Sequence, residues 1–243
     1  MDASTSMEAN TKRLIVTMAL ALLCATSARA DTLYVPVVLR ELPPPTLVVF
    51  DGNSLSVAPV GAEYPDMVAQ LLDTASYSAE TVSIAVSGQT TADMLRDAME
   101  EADGLYDPAR PGVIVVWEGT NDLYFGASPN DAYEHLATYC RDRKDHGWRV
   151  VLLTLLPRSK TGTRGMPPTF ETDRQNINAR LRVAWPGVAD VLVDVGADPI
   201  IGLAGQETDP LYYSDRLHLT AAGNQIVAEY VASAIVGLDA IPR

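Results

Sequence analysis

The segment Thr46-Leu47-Val48-Val49-Phe50-Asp51-Gly52-Asn53-Ser54-Leu55 decides how the rest of the chain is read. Its first five residues carry no polar face, the composition of a strand covered on both sides. Asp51-Gly52-Asn53 then favours a turn, which leaves Ser54 at the carboxyl edge of that strand. The pattern recurs downstream. Strand-like runs cover Thr81 to Val86, Val113 to Trp117, Val150 to Leu155 and Val188 to Val193. Stretches of helical period cover Tyr64 to Thr74, Thr91 to Glu101, Asn130 to His146, Glu171 to Ala184 and Thr220 to Val236. Buried strands alternating with helices imply parallel neighbours joined by right-handed crossovers. The expected fold is therefore α/β: a three-layer, flavodoxin-like α/β/α sandwich with a five-stranded parallel sheet, in one domain over residues 46–243. Ligand sites in such sheets lie beyond the carboxyl ends of the strands.

Upstream of this domain the composition changes. Lys12-Arg13 precede an apolar run from Leu14 to Ala25, and Ala28-Arg29-Ala30 places small residues where a signal peptidase cuts. Residues 1–30 read as a secretory signal cleaved after Ala30, which addresses the protein outside the cell or to the periplasm. An uncleaved anchor is the alternative, disfavoured because the run is shorter than the ~20 residues of a bilayer span. Lipoprotein processing at Cys24 is disfavoured by the bulky Leu23 before it. Residues 31–45 form an extended leader ending in Pro43-Pro44-Pro45, which is stiff and cannot be helical.

The 18 basic and 31 acidic residues give a net charge of −13, and loss of Asp2, Glu8, Lys12, Arg13 and Arg29 with the signal makes the mature chain one unit more negative. An acidic surface repels nucleic acid and anionic membrane, so neither is expected as a partner, and no stable membrane insertion is expected after cleavage. Cys140 is left as the single cysteine of the mature chain, which excludes an intramolecular disulfide. It reads as a buried thiol in an amphipathic helix, with a surface thiol as the other reading. No Cys or His spacing suggests a zinc site, and no metal or cofactor is expected.

Four separated segments supply the chemistry of acyl transfer: Gly52-Asn53-Ser54-Leu55, Ser87-Gly88-Gln89-Thr90, Gly119-Thr120-Asn121-Asp122 and Asp215-Arg216-Leu217-His218. The first three close successive strands. A serine is a poor nucleophile until a base removes its proton, the base needs an orienting partner, and the oxyanion needs fixed donors. His218 is one of three histidines, three residues after Asp215 and just ahead of Thr220, a candidate N-cap, so one local segment can carry base and orienter. Each residue alone has a plainer reading. Ser54 and Asn121 suit caps and turns, Gly88 suits the end of a strand, and Asp215 suits the start of a helix. His135 and His146 lie on or at the end of the third helical stretch and read as surface residues.

Taken in this order, the four segments resemble the SGNH, or GDSL-type, serine hydrolases, a family of esterases and lipases, from about Thr46 to the C-terminus. The resemblance implies that Ser54 is the nucleophile, His218 the general base and Asp215 its orienter. It also implies an oxyanion hole formed by the backbone N–H groups of Ser54 and Gly88 and the side-chain amide of Asn121. A side chain at position 88 would obstruct the approach of the acyl group to the backbone. Asp122 reads as a support of its loop. The chain departs from the family at Asn53, where the family usually has Asp, a change that bears on substrate range or loop rigidity more than on the four roles. Candidate pocket walls are Trp117, Glu118, Tyr124, Phe125, the Arg158 to Thr169 loop and Leu211-Tyr212-Tyr213, although these aromatics serve equally as packing. The implied activity is that of a secreted, metal-independent carboxylesterase acting through an acyl-enzyme on acetyl or short acyl groups, with a small-molecule or carbohydrate ester as substrate. A lipase or lysophospholipase is the alternative. A non-catalytic extracellular binding module on the same fold is the alternative of another class, and the presence of all four roles argues against it.

Overall fold

The computed structural model describes residues 43–57, 63–163 and 165–239. The expected signal and residues 31–42 of the leader lie outside them. Five strands, β1 (Thr46–Gly52), β2 (Ala79–Ser83), β3 (Gly112–Trp117), β4 (Arg149–Leu153) and β5 (Val191–Val193), form one sheet in the order β2-β1-β3-β4-β5. Every pair is parallel. The chain steps outward from β1 to β2, then returns past β1 to β3, so the winding reverses between β1 and β3. A crevice opens beyond their carboxyl ends at such a reversal. Gly52 pairs with Trp117 at the last rung, so the segments that carry Ser54 and Asn121 leave the sheet side by side.

Among the described residues six α-helices cover the sheet: α1 (Tyr64–Thr74), α2 (Thr91–Glu101), α3 (Thr120–Phe125), α4 (Pro129–His146), α5 (Phe170–Ala184) and α6 (Ala221–Leu238). Alternate strand residues point to opposite faces. Val48, Phe50, Val113, Val115, Val151 and Leu153 pack with α1 and α6, whereas Leu47, Val49, Ile114, Val116, Val150 and Leu152 pack with α2, α4 and α5. Helix α4 shows how local sequence sets such a boundary. The Ser128 side chain accepts from Asp131 N at its start beside Pro129, and Gly147 ends it at φ +116° after Arg143, Lys144 and His146 in the last turn. Cys140 is buried on this helix, and burial pushes its thiol up to about 12.

Three details differ from the sequence reading. Strands β1 and β3 are buried throughout, but edge strand β2 is partly exposed, since no described strand pairs on its outer side. Past Ser83 the second run stays extended, with Ile84 N and Val86 N donating to Phe50 O and Gly52 O. The fifth run shortens to three residues because Val188 and Ala189 are drawn into the turn that follows α5, both donating to Trp185 O. Helix α3 is new, as six residues are too few to show a helical period.

Candidate active site

Ser54 is presented by a turn held at both sides. Gly52 has φ +149°, and a Cβ there would lie 2.3 Å from Trp117 O, so only glycine fits where β1 peels away from β3. Asn53 follows, buried, and its Oδ1 accepts from Leu55 N at 3.0 Å. Its Nδ2 donates to Glu118 Oε1 at 2.8 Å, and the same oxygen accepts from Gly119 N at 2.9 Å. The first motif is thereby bonded to the third. Burial pushes the Glu118 carboxyl well above the usual carboxylate range, and its Oε2 has no partner among the described residues. An amide at position 53 can donate to that carboxyl, whereas the ionised aspartate usual at this position in the family could only accept.

The fourth motif is a closed loop. An antiparallel bridge joins Tyr213 to Leu219, Ser214 N donates to His218 O at 2.8 Å, and Arg216 turns the chain at φ +66°. Asp215 Oδ1 accepts from the backbone N–H groups of Leu217 (3.2 Å) and His218 (2.8 Å). Its Oδ2 lies 2.8 Å from His218 Nδ1. In the neutral ring, since a carboxylate can only accept, the proton sits on Nδ1 and Nε2 keeps its lone pair. That nitrogen lies 2.9 Å from Ser54 Oγ, so the hydroxyl donates to it. Thr220, just beyond, caps α6 through Gly223 N. Partial burial works to raise the Asp215 carboxyl, but hydrogen bonds from Lys160 Nζ, the His218 ring and the His218 backbone outweigh it and hold the group well below the usual carboxylate range.

The second and third motifs also meet. Asn121 lies in the first turn of α3 and donates from Nδ2 to Gln89 O at 2.9 Å, while Arg158 Nη1 lies 3.5 Å from its Oδ1. That fixes the amide and leaves its second N–H to donate elsewhere. Gly88 has φ +84°, so the backbone conformation itself calls for glycine, and the space a Cβ would fill is open. Among the described residues, neither the Ser54 nor the Gly88 N–H donates to another group. Asp122 accepts from Thr91 N at 3.0 Å and Thr91 Oγ1 at 2.5 Å, tying α3 to the start of α2, the supporting part read from sequence.

Three of the candidate pocket walls are core residues instead. Trp117 packs edge-on against Tyr64 and donates to Thr154 O, Glu118 faces Asn53, and Tyr213 is buried with its hydroxyl donating to Ile201 O. Alternation along β3 points Trp117 into the α1/α6 layer, away from the rim. Tyr212 is partly buried against that same layer. Tyr124 and Phe125 stay at the surface of α3, where the Arg158 guanidinium sits 3.8 Å from the centre of the Tyr124 ring and Gly162 N donates to the Tyr124 hydroxyl. The Arg158 to Thr169 loop is thus joined to the rim, with Arg164 outside the described residues. His135 is half-buried and His146 exposed on α4, and neither bonds to Ser54 or Asp215. Two supports had no signal in the sequence: the Asn53–Glu118 bond and Lys160, a lysine in a Gly- and Thr-rich loop. Among the described residues no group of three or more His, Cys, Asp or Glu could hold a metal ion, and no helix is long and apolar enough to cross a membrane.

The sequence model of the GDSL-like lipase/acylhydrolase family matches residues 51–226. No curated protein matches the chain. Among solved structures, a GDSL-like lipase from Bacteroides thetaiotaomicron aligns at a TM-score of 0.61 and 20% identity, covering 80% of this chain and 89% of the other. An acetyl xylan esterase aligns at 0.58 and 19% identity, covering 78% and 99%. The psychrotrophic esterase EstA from Pseudoalteromonas sp. aligns at 0.58 and 14% identity, covering 80% and 99%. At these identities the likeness speaks for the fold.

Proposed function

Because the chain belongs to the GDSL-like lipase/acylhydrolase family, and is with it an ester-hydrolysing enzyme, we propose that it is a secreted serine esterase that works through Ser54, His218 and Asp215. The single observation that carries this reading is the continuous run from Ser54 Oγ to His218 Nε2 at 2.9 Å and from His218 Nδ1 to Asp215 Oδ2 at 2.8 Å. In the proposed reaction Oγ bonds to the acyl carbon as its proton passes to Nε2. The tetrahedral oxyanion is received by the N–H groups of Ser54 and Gly88 and the free N–H of Asn121. Collapse breaks the ester C–O bond, and the imidazolium returns the proton to the leaving alcohol. Water, deprotonated by the same His218, then attacks the acyl-enzyme; the Oγ–acyl bond breaks, the imidazolium returns its proton to Ser54 Oγ, and the acid leaves. The proton count closes at Ser54 and His218, so no metal or cofactor enters the scheme.

The acyl group is proposed to be acetyl or another short chain, carried on a carbohydrate or a small alcohol. The extracellular address read from residues 1–30 and the acidic charge support this, and a structural neighbour acts on acetyl xylan. Turnover of acetylated polysaccharide and of p-nitrophenyl esters from two to sixteen carbons, each with a Ser54→Ala control, tests the proposal. Short-chain or sugar-acetate turnover that vanishes in Ser54→Ala supports it. A preference for the long chains would select the lipase reading, and undiminished turnover in Ser54→Ala would remove Ser54 from the nucleophile's role.

A further inference from the structure

The loop between β4 and α5 was read from sequence as a pocket wall, yet it also bonds to the segment that carries Asp215 and His218. Ser159 N and Lys160 N both donate to Arg216 O, at 3.0 and 3.2 Å. Lys160 Nζ lies 2.5 Å from Asp215 Oδ2, the same oxygen that faces His218 Nδ1 at 2.8 Å. One carboxylate oxygen therefore receives a ring N–H and an ammonium, while the other receives two backbone N–H groups. We infer that Lys160 is a positioning residue for ester hydrolysis, fixing the Asp215 carboxylate and withholding part of its charge from the His218 imidazolium; the inference rests on the triad proposed above.

The physical argument concerns what a shared oxygen does. A carboxylate beside a histidine stabilises the charged ring and so keeps it protonated to higher pH, where it cannot act as a base. An ammonium on the same oxygen offsets that field, so the ring sheds its proton more readily and the enzyme works further into the acid range. The other charged groups around His218 do not duplicate this effect. Glu63, ahead of α1, interacts with the ring with the same sign as Asp215 and is held by Asn224 Nδ2 at 3.2 Å. Arg158 interacts with Asp215 from the same loop as Lys160, but its guanidinium lies over Tyr124 and towards Asn121. Arg216 sits between Asp215 and His218 in sequence with its side chain exposed, and the start of α6 adds a positive helix end. Lys160 is the cation bonded directly to the shared oxygen.

The test is the pH profile of kcat/KM on a short, uncharged ester for the parent protein, Lys160→Met and Lys160→Arg, with Ser54→Ala alongside. Removal of the ammonium should move the acid limb of the profile upward by about one pH unit, the scale of one partly screened charge at close range. At pH 5 that corresponds to about a tenfold loss of kcat/KM, carried by kcat with KM unchanged. Lys160→Arg, which keeps a cation at the oxygen, should restore the parent limb. An unmoved acid limb in Lys160→Met overturns the inference, and so does an equal loss at every pH, which would mark Lys160 as a strut of the loop alone. Turnover that survives Ser54→Ala would instead defeat the triad itself, so the two failures are separable.

Discussion

Replacing Asn53 by the aspartate usual in the family is predicted to weaken this protein. Asn53 Nδ2 donates to Glu118 Oε1 at 2.8 Å, with both side chains buried. Two ionised carboxylates at that separation would repel by about 6 kcal/mol at an effective dielectric of ~20. That exceeds the cost of keeping one proton on the pair at pH 8, so Asn53→Asp should take up a proton in preference to charging both groups. Glu118 already sits well above the usual carboxylate range in the parent, so the net penalty is mainly the lost donor and the added buried carboxyl, about 2–4 kcal/mol at pH 8. It should shrink to about half of that at pH 5, where a proton is easily supplied. Urea midpoints at the two pH values measure both figures. Glu118→Gln in the Asn53→Asp background supplies an amide donor from the opposite side and should recover most of the loss, giving a coupling energy above about 1 kcal/mol in the double-mutant cycle. A penalty below about 0.5 kcal/mol at both pH values, or no recovery with Glu118→Gln, would refute this account of the departure.

Other outcomes follow from the same site. Asn121→Ala should lower kcat by about 10²- to 10³-fold, the usual cost of one oxyanion donor, and a change under about threefold would take Asn121 out of that role. Burial, opposed by the Tyr139 hydrogen bond, lifts the Asp51 carboxyl from 3.8 to about 7. The folded protein thus holds that proton more tightly than the unfolded chain, so the stability it contributes is fully present below pH 3.8 and is lost as the pH rises towards 7. Asp51→Asn should therefore lose about 2 kcal/mol less than the parent between pH 5 and pH 8 in urea unfolding, and equal losses would contradict the shift. Gly52→Ala, which pushes a Cβ against Trp117 O, should cost about 2–4 kcal/mol and depress turnover as Ser54 is displaced, whereas parent-like stability would show that the turn relaxes freely.

The sheet was legible because its central strands β1 and β3 are apolar along almost their whole length. Val48, Phe50, Val113 and Val115 cannot be left wet, and the spacing between the runs admits helices and little else. Helix α4 was legible to within a residue at its start because Pro129 and Gly147 punctuate it. What escaped were features set by neighbours in space. Edge strand β2, with Glu80, Thr81 and Ser83, is less apolar than β1 and has a partner on one side only among the described residues. Helix α3 is too short to show a period. Tyr213 and Trp117 are aromatics beside motifs, and sequence does not say on which side of a strand or loop the ring will fall. The meeting of residues 54 and 218, 164 positions apart, could be read only from the family resemblance. Lys160 gave no sign at all, since a lysine in a polar loop is ordinary until its partner is seen.

Behind the rim, Arg174 is fully buried, with Nη1 donating to Leu155 O at 2.8 Å and to Gly202 O at 3.3 Å, while Asn178 receives Leu155 N at 2.8 Å. The exit of β4 is thus gripped from the protein interior at Leu155, three residues before the chain reaches Arg158. Beyond the bond from Gly162 N to the Tyr124 hydroxyl, the stretch from Gly165 to Thr169 hangs from a fixed post. That stretch is free to lengthen, shorten or change its side chains without tugging on the reacting groups, so a new substrate preference could be acquired there by insertion while the hydrolytic apparatus keeps its geometry.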